Sequence, residues 1–274
     1  MSKSYYTLIT GASEGLGKCF ALECASRKMN LILVALPNSG LDKLSAYIRK
    51  TFFVDVIFYE DDISTEESCT QLFHFINNKH ILVRILINNA GMGGTFSFQQ
   101  KDIAYYAKLI SLNTITPTVL SRLLLGHLKA AAPSHILNVS SLAAMFSLPH
   151  KQVYGGTKSF LLFFSKSLRR ELKRDNVFVS ALCPGGIDTT PQLIMMHRTT
   201  GTWLSKQSVL DPWTVARIAI DKMLKKKEVI IPGFLNRMFL LLNSIFPRAF
   251  KDFLISYQMN RTFSSAEKQV LKRA

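Results

Sequence analysis

Seven short runs of apolar, largely β-branched residues, separated by longer helix-like stretches, leave this chain very few folds. The runs are Tyr5–Thr10, Asn30–Leu36, Val54–Tyr59, Val83–Asn88, His135–Ser140, Val177–Leu182 and Glu228–Ile231. Each is nearly continuous in apolar residues, the pattern of parallel strands covered on both faces. Helical patterning falls near 15–29, 41–51, 65–78, 102–130, 153–174 and 212–226. The alternation predicts an α/β fold, a doubly wound parallel sheet of seven strands with helices on both faces and right-handed crossovers. Ligands of such sheets sit beyond the carboxyl ends of the strands. Chemistry-bearing motifs should therefore follow directly after strands.

They do. After the first run comes Thr10-Gly11-Ala12-Ser13-Glu14-Gly15-Leu16-Gly17, and then a helical pattern. Glycines at 11, 15 and 17 allow a tight turn, a close backbone approach to a pyrophosphate and close packing of helix on sheet. Free N–H groups at the helix start would face the phosphates. A glycine loop alone is weak evidence, because many turns carry three glycines; its place between strand and helix strengthens it. Further on stands Tyr154-Gly155-Gly156-Thr157-Lys158. On a helix the phenol and the ammonium of positions i and i+4 share a face, and a nearby cation favours the phenolate. Tyr154 is thereby a candidate general acid/base for a carbonyl oxygen, although an isolated pair of this kind is usually an ordinary surface contact. This pair is not isolated. Ser141 lies thirteen positions earlier, at the end of a strand. Asn88-Asn89-Ala90-Gly91 ends another strand, Asn113 interrupts a long helix where its propensity is poor, and Pro184-Gly185 closes the sixth strand.

In their order and spacing these motifs resemble the short-chain dehydrogenase/reductase family over roughly residues 5–190. The resemblance implies a Rossmann-like sheet, a nicotinamide cofactor and a catalytic tetrad of Asn113, Ser141, Tyr154 and Lys158. Tyr154 would protonate the substrate oxygen during carbonyl reduction. Lys158 would lower the Tyr154 pKa and hold the nicotinamide ribose. Ser141 would orient the carbonyl, and Asn113 would anchor a proton-relay water. The same resemblance assigns the cofactor's phosphates to Gly11, Ser13, Glu14, Gly15, Leu16 and Gly17. It assigns the adenine to Asp62 and Ile63, the adenine–ribose side to Asn89, Ala90 and Gly91, and the nicotinamide to Pro184, Gly185, Ile187 and Thr189.

The end of the second strand departs from the family pattern. Relatives that use NAD usually carry Asp there, and those that use NADP often carry Arg there or a basic residue in the glycine loop. This chain has Leu36-Pro37-Asn38, with Glu14 in the loop. Lack of Asp argues against NAD. Ser13, Asn38 and a lysine such as Lys43 are left to receive a 2′-phosphate against Glu14. The expected cofactor is NADP, with NAD as the alternative.

The 274 residues contain no repeat, linker or low-complexity run, so one dinucleotide-binding and catalytic domain over 1–274 is expected. The net charge of +16 is concentrated beyond residue 157, where 20 basic residues face 8 acidic ones. No zinc-finger, basic-zipper or RNA-binding motif accompanies it, so nucleic acid is not an expected partner. The lysines 225–227 sit at a helix end, where cations are favourable in any case. Cys19, Cys24, Cys69 and Cys183 form no CxxC pair and read as buried free thiols of a cytoplasmic protein, and no histidine–cysteine cluster predicts a metal. The first apolar stretch leads straight into the glycine loop, so no secretory leader is expected.

Residues 186–210 read as a substrate loop. Met195, Met196 and Trp203 either line an apolar pocket or pack the loop onto the core, and His197 is expected to face solvent. The segment 233–257 is too rich in apolar residues for one helix stripe. Its longest uncharged stretch, Met238–Pro247, is too short to span a bilayer. Burial in the fold, a second subunit, apolar substrate, or peripheral contact with an anionic membrane through Arg237, Arg248 and Lys251 would each cover it. The family resemblance implies a homodimer or homotetramer through the helices near 102–130 and 153–174. Two functions follow: a reductase of a hydrophobic ketone (3-oxoacyl, long-chain or steroid-like), or a catalytically silent cofactor-binding scaffold on the same fold. The intact Ser141–Tyr154–Lys158 set favours the enzyme.

Overall fold

A computed structural model describes residues 4–187 and 209–245. Strands β1 (Tyr5–Thr10), β2 (Asn30–Ala35), β3 (Val56–Glu60), β4 (Leu82–Asn88), β5 (Ser134–Val139), β6 (Val177–Leu182) and β7 (Val229–Ile230) form one sheet. Their order is β3-β2-β1-β4-β5-β6-β7, and every pairing is parallel. The near-continuous apolar runs have their cause in two core layers. Ile9, Leu31, Leu33, Ile87 and Leu137 point to one face, where helices α1 (Gly15–Ser26) and α2 (Leu41–Phe52) pack. Leu8, Ile32, Val34, Leu86 and Ile136 point to the other, beneath α3 (Glu66–Asn78). Strand order reverses direction between β1 and β4, which opens a crevice at their carboxyl ends.

The remaining helices are α4 (Ile103–Ile110), α5 (Thr116–Leu123), α6 (Leu125–Ala130), α7 (Gln152–Glu171), α8 (Pro212–Leu224) and α9 (Phe234–Ile245). The expected continuous helix over 102–130 is instead broken by a wide π-type turn at Ser111–Ile115 and a second break at Leu124. Pro117 has no N–H to continue the ladder, and the Thr114 hydroxyl bonds back to the Ile110 carbonyl at 2.6 Å. The third strand begins at Val56 rather than Val54. Phe53 turns left-handed (φ 55°) to end α2, and the Asp55 N–H is taken by the Asn30 side chain at 3.0 Å. The fifth strand stops at Val139, before Ser141. All four cysteines are buried and free. No described helix is long and apolar enough to cross a membrane. The side chains of Phe239, Leu241, Leu242 and Ile245, and everything from Phe246 onward including Arg248 and Lys251, lie outside what the structure describes.

Candidate active site

The glycine loop is held from across the sheet. The Thr10 hydroxyl accepts the backbone N–H groups of Asn89 and Ala90, each at 3.0 Å. The Asn89 amide donates in return to the carbonyls of Thr10 (2.9 Å) and Gly11 (3.1 Å). The two strand-end motifs at the crevice are therefore one hydrogen-bonded unit. Gly11 adopts φ +64°, and a Cβ on Gly17 would lie 1.8 Å from the Gly11 carbonyl oxygen, so only glycine lets α1 start this close to the turn. Glu14 occupies the N-cap of α1 without capping it through its side chain, which leaves the first N–H groups of the helix available to an anion. These features fit a dinucleotide pyrophosphate.

At the far side of the crevice, Leu36 is 56% exposed at the end of β2, and Asn38 follows in a left-handed conformation. Asp62 follows β3. Its carboxylate pairs with Lys108 at 2.7 Å and accepts the Ser64 N–H at 3.1 Å. Burial works to raise its pKa, but these contacts prevail and hold it below the usual range. Ile63 is buried, and its carbonyl anchors the Thr116 hydroxyl at 2.7 Å.

The tetrad residues come from three elements. Ser141 does not end β5; it caps the short 3₁₀ turn Leu142–Met145, where its hydroxyl accepts the Ala143 N–H at 3.1 Å. This turn places the hydroxyl in the same cleft as Tyr154 of α7. Tyr154 and Lys158 follow on the first turns of α7. Lys158 is buried, and its Nζ donates to the Val139 carbonyl at 2.9 Å; the Ser140 hydroxyl binds the Lys158 carbonyl at 2.8 Å. Burial lowers the ammonium pKa to about 8.

One expectation about these groups needs correction. Lys158 does not pull the Tyr154 phenol down. Its Nζ stands 5.8 Å from the ring centroid and is tied to Val139, and burial holds the phenol above its usual range, only partly offset by the Ser141 hydroxyl. The Asn113 side chain is engaged by the protein itself. Its Nδ2 donates to the Met92 carbonyl (2.9 Å) and the Thr157 hydroxyl (3.0 Å), and its Oδ1 accepts the Met92 N–H (2.9 Å). Both amide protons are spent on positioning the loop after β4 against α7.

That loop also contains Met92 and Gly93, which the sequence reading missed. A Cβ on Gly91 would lie 2.9 Å from Asn113 Oδ1, and one on Gly93 would lie 2.8 Å from the Tyr154 ring. Gly91-Met92-Gly93-Gly94 directly after a strand was the available signal. Thr157 was overlooked between the motif's end residues, though it joins Asn113 to α7. Asn236 of α9 is also buried, and a Cβ on Gly185 would meet its side chain at 2.8 Å.

Together these elements line a cleft of about 730 Å³ that runs from Asn89 and Gly91 past Ser141, Tyr154 and Lys158 to Pro184, Gly185 and Ile187. Met92, Phe96, Leu142 and Leu148 give it an apolar side. Ile187 bridges to Leu210. Thr189, Met195, Met196, His197 and Trp203 lie outside the described residues.

The family model of short chain dehydrogenase matches residues 6–197. Similar curated proteins include very-long-chain 3-oxoacyl-CoA reductase of Bos taurus, 29% identical over 183 residues, with 65% of this chain and 58% of that protein covered. NADP-dependent 3-hydroxy acid dehydrogenase of Schizosaccharomyces pombe is 27% identical, with 82% of this chain and 88% of that protein covered. Among solved structures, a short-chain dehydrogenase from Sphingobium yanoikuyae in complex with NADPH superposes with a TM-score of 0.73 at 27% identity, over 89% of this chain and 97% of that one. The match to the 3-oxoacyl-CoA reductase thus spans less than two thirds of that protein's length.

Proposed function

The chain belongs to the short-chain dehydrogenase/reductase family, and from that membership we propose that it is an NADP-dependent reductase of hydrophobic ketones. One observation carries the reading: the Ser141 hydroxyl, the Tyr154 phenol and the Lys158 ammonium converge on one cleft, beside a glycine loop fit for a dinucleotide. The cofactor, when bound, supplies the hydride. Ser141 holds the carbonyl oxygen, and Tyr154 gives that oxygen its proton. Lys158, anchored at Val139, keeps its remaining protons for the cofactor ribose. Asn113 is a positioning residue that acts through Met92 and Thr157. The apolar wall of Met92, Phe96, Leu142 and Leu148 favours a 3-oxoacyl, long-chain or steroid-like ketone. Turnover of a panel of ketones of graded chain length, with each cofactor, tests the proposal. No turnover of any ketone by protein that binds NADPH would favour the silent scaffold instead.

NADP is preferred here because the S. pombe relative is NADP-dependent, the S. yanoikuyae structure holds NADPH, and no Asp stands at the end of β2 to receive a 2′-hydroxyl. Leu36 supplies no guanidinium fork, and such bidentate contacts are the strong ones. NADPH is therefore expected to bind more tightly than NADH by a modest factor, through Ser13, Asn38 and Lys43. Fluorescence titration of both cofactors checks this, and a clear preference for NADH would reverse it.

The described outer surfaces of α4 and α7 are apolar where solvent would favour charge. Ile103 is 87% exposed and Phe163 74%, and Phe160 stacks on Phe164 at 5.9 Å. These faces support assembly as a homodimer or homotetramer through α4–α6 and α7. Phe163→Asp is expected to shift the mass measured by light scattering toward the monomer. An unchanged mass would place the contact elsewhere.

A further inference from the structure

Lys151 immediately precedes α7 and lines the cleft one helical turn before Tyr154. Its Nζ lies 5.6 Å from the centroid of the Tyr154 ring, on the phenol that the proposed reaction uses. With its ammonium over that ring, Lys151 is within a few bonds' reach of a carbonyl held by Tyr154. No Asp or Glu lines the cleft among the described residues, and Lys151 takes part in none of their ion pairs. Leu148 and Phe96 share its surroundings. Burial lowers its pKa, the mark of a cation whose desolvation is not offset by a counter-charge. Lysines whose only task is to cover apolar surface normally carry the ammonium out to water. This one keeps it in the cleft.

We propose that Lys151 is the specificity residue of the site, receiving a carboxylate that the substrate carries a few bonds from its reducible carbonyl. Preferred ketones are then oxo acids rather than neutral ketones of the same length. The inference rests on the reductase reading above and narrows its substrate class. Carbonyl and acid would be held by different groups, the first by Ser141 and Tyr154 and the second by Lys151, which fixes which end of the molecule enters the cleft.

The test compares wild type, Lys151→Met and Lys151→Arg on a medium-chain 3-oxo acid and on its methyl ester. The wild type is expected to favour the acid. Lys151→Met should lower the acid-to-ester ratio of kcat/KM by about 10- to 100-fold, the span of a charge-assisted hydrogen bond, mainly through KM. Lys151→Arg should restore most of the ratio. Equal losses on acid and ester would overturn the proposal and assign Lys151 to tuning Tyr154; an unchanged ratio would overturn it outright. Calorimetric binding of the 3-hydroxy acid and its methyl ester, with NADP⁺ present, separates this from the reductase reading. If neither ketone is turned over, acid-selective binding that Lys151→Met abolishes still supports Lys151 as the carboxylate receptor, and equal binding of acid and ester refutes it.

Discussion

Tyr154→Phe is expected to lower ketone turnover by at least ~10²-fold while NADPH affinity stays nearly unchanged, because the substitution removes one positioned proton and little else. The ring keeps its place against Gly93, so the cleft retains its shape. The pH dependence has a defined sign. Burial holds the phenol above its usual range, so Tyr154 keeps its proton through neutral pH and into the alkaline side. Reduction, which consumes that proton, should therefore persist as pH rises. Alcohol oxidation, which needs the phenolate, should climb with pH over the same range. Steady-state kinetics in both directions check this, and near-normal turnover in the variant would remove Tyr154 from its assigned role.

Gly17→Ala should be the most damaging single methyl among the described glycines. The new Cβ would stand 1.8 Å from the Gly11 carbonyl oxygen and 2.7 Å from the Asn89 amide nitrogen. Neither neighbour can give way cheaply: Gly11 is backbone, and Asn89 ties the turn to β4. Overpacking of this kind costs about 1–3 kcal/mol. Relief requires the glycine loop to move away from α1, so cofactor affinity should fall by tenfold or more, about 1.4 kcal/mol. Cofactor titration together with a thermal melt checks it. Unchanged affinity at an unchanged melting midpoint would mean that the loop does not need this close approach. Gly40 and Gly126, whose Cβ positions meet nothing within 4 Å, serve as controls.

The parallel sheet was legible because burial on both faces leaves an apolar run that few other folds share, and all seven runs fall within a residue or two of the strands found, the last of them the short Val229–Ile230. The glycine loop, Ser141, Tyr154 and Lys158 were legible for a related reason. They sit at strand ends or on one helix turn, where local spacing fixes their neighbours. Non-local pairing was not legible. That Asn113 spends its amide on Met92 and Thr157 depends on how the loop after β4 folds across a broken helix, which no spacing records. The Lys158 case is similar. The i, i+4 rule puts its ammonium on the Tyr154 side of α7, but the Val139 carbonyl claims it, and depth of burial sets both pKa directions. Nothing in the sequence singles out Lys151. Its meaning comes from the absence of acidic groups around the described cleft, which is a property of the assembled site.

Transfer of deuterium from the nicotinamide ring of [4-²H]NADPH to a ketone, followed by mass spectrometry of the alcohol, tests the reductase assignment most directly. Wild-type protein is expected to yield alcohol one mass unit heavier from the correctly labelled face of the ring, and Tyr154→Phe to yield little of it. Tight NADPH binding with no label reaching any ketone of the panel would contradict the assignment and leave the chain a cofactor-binding protein without the chemistry.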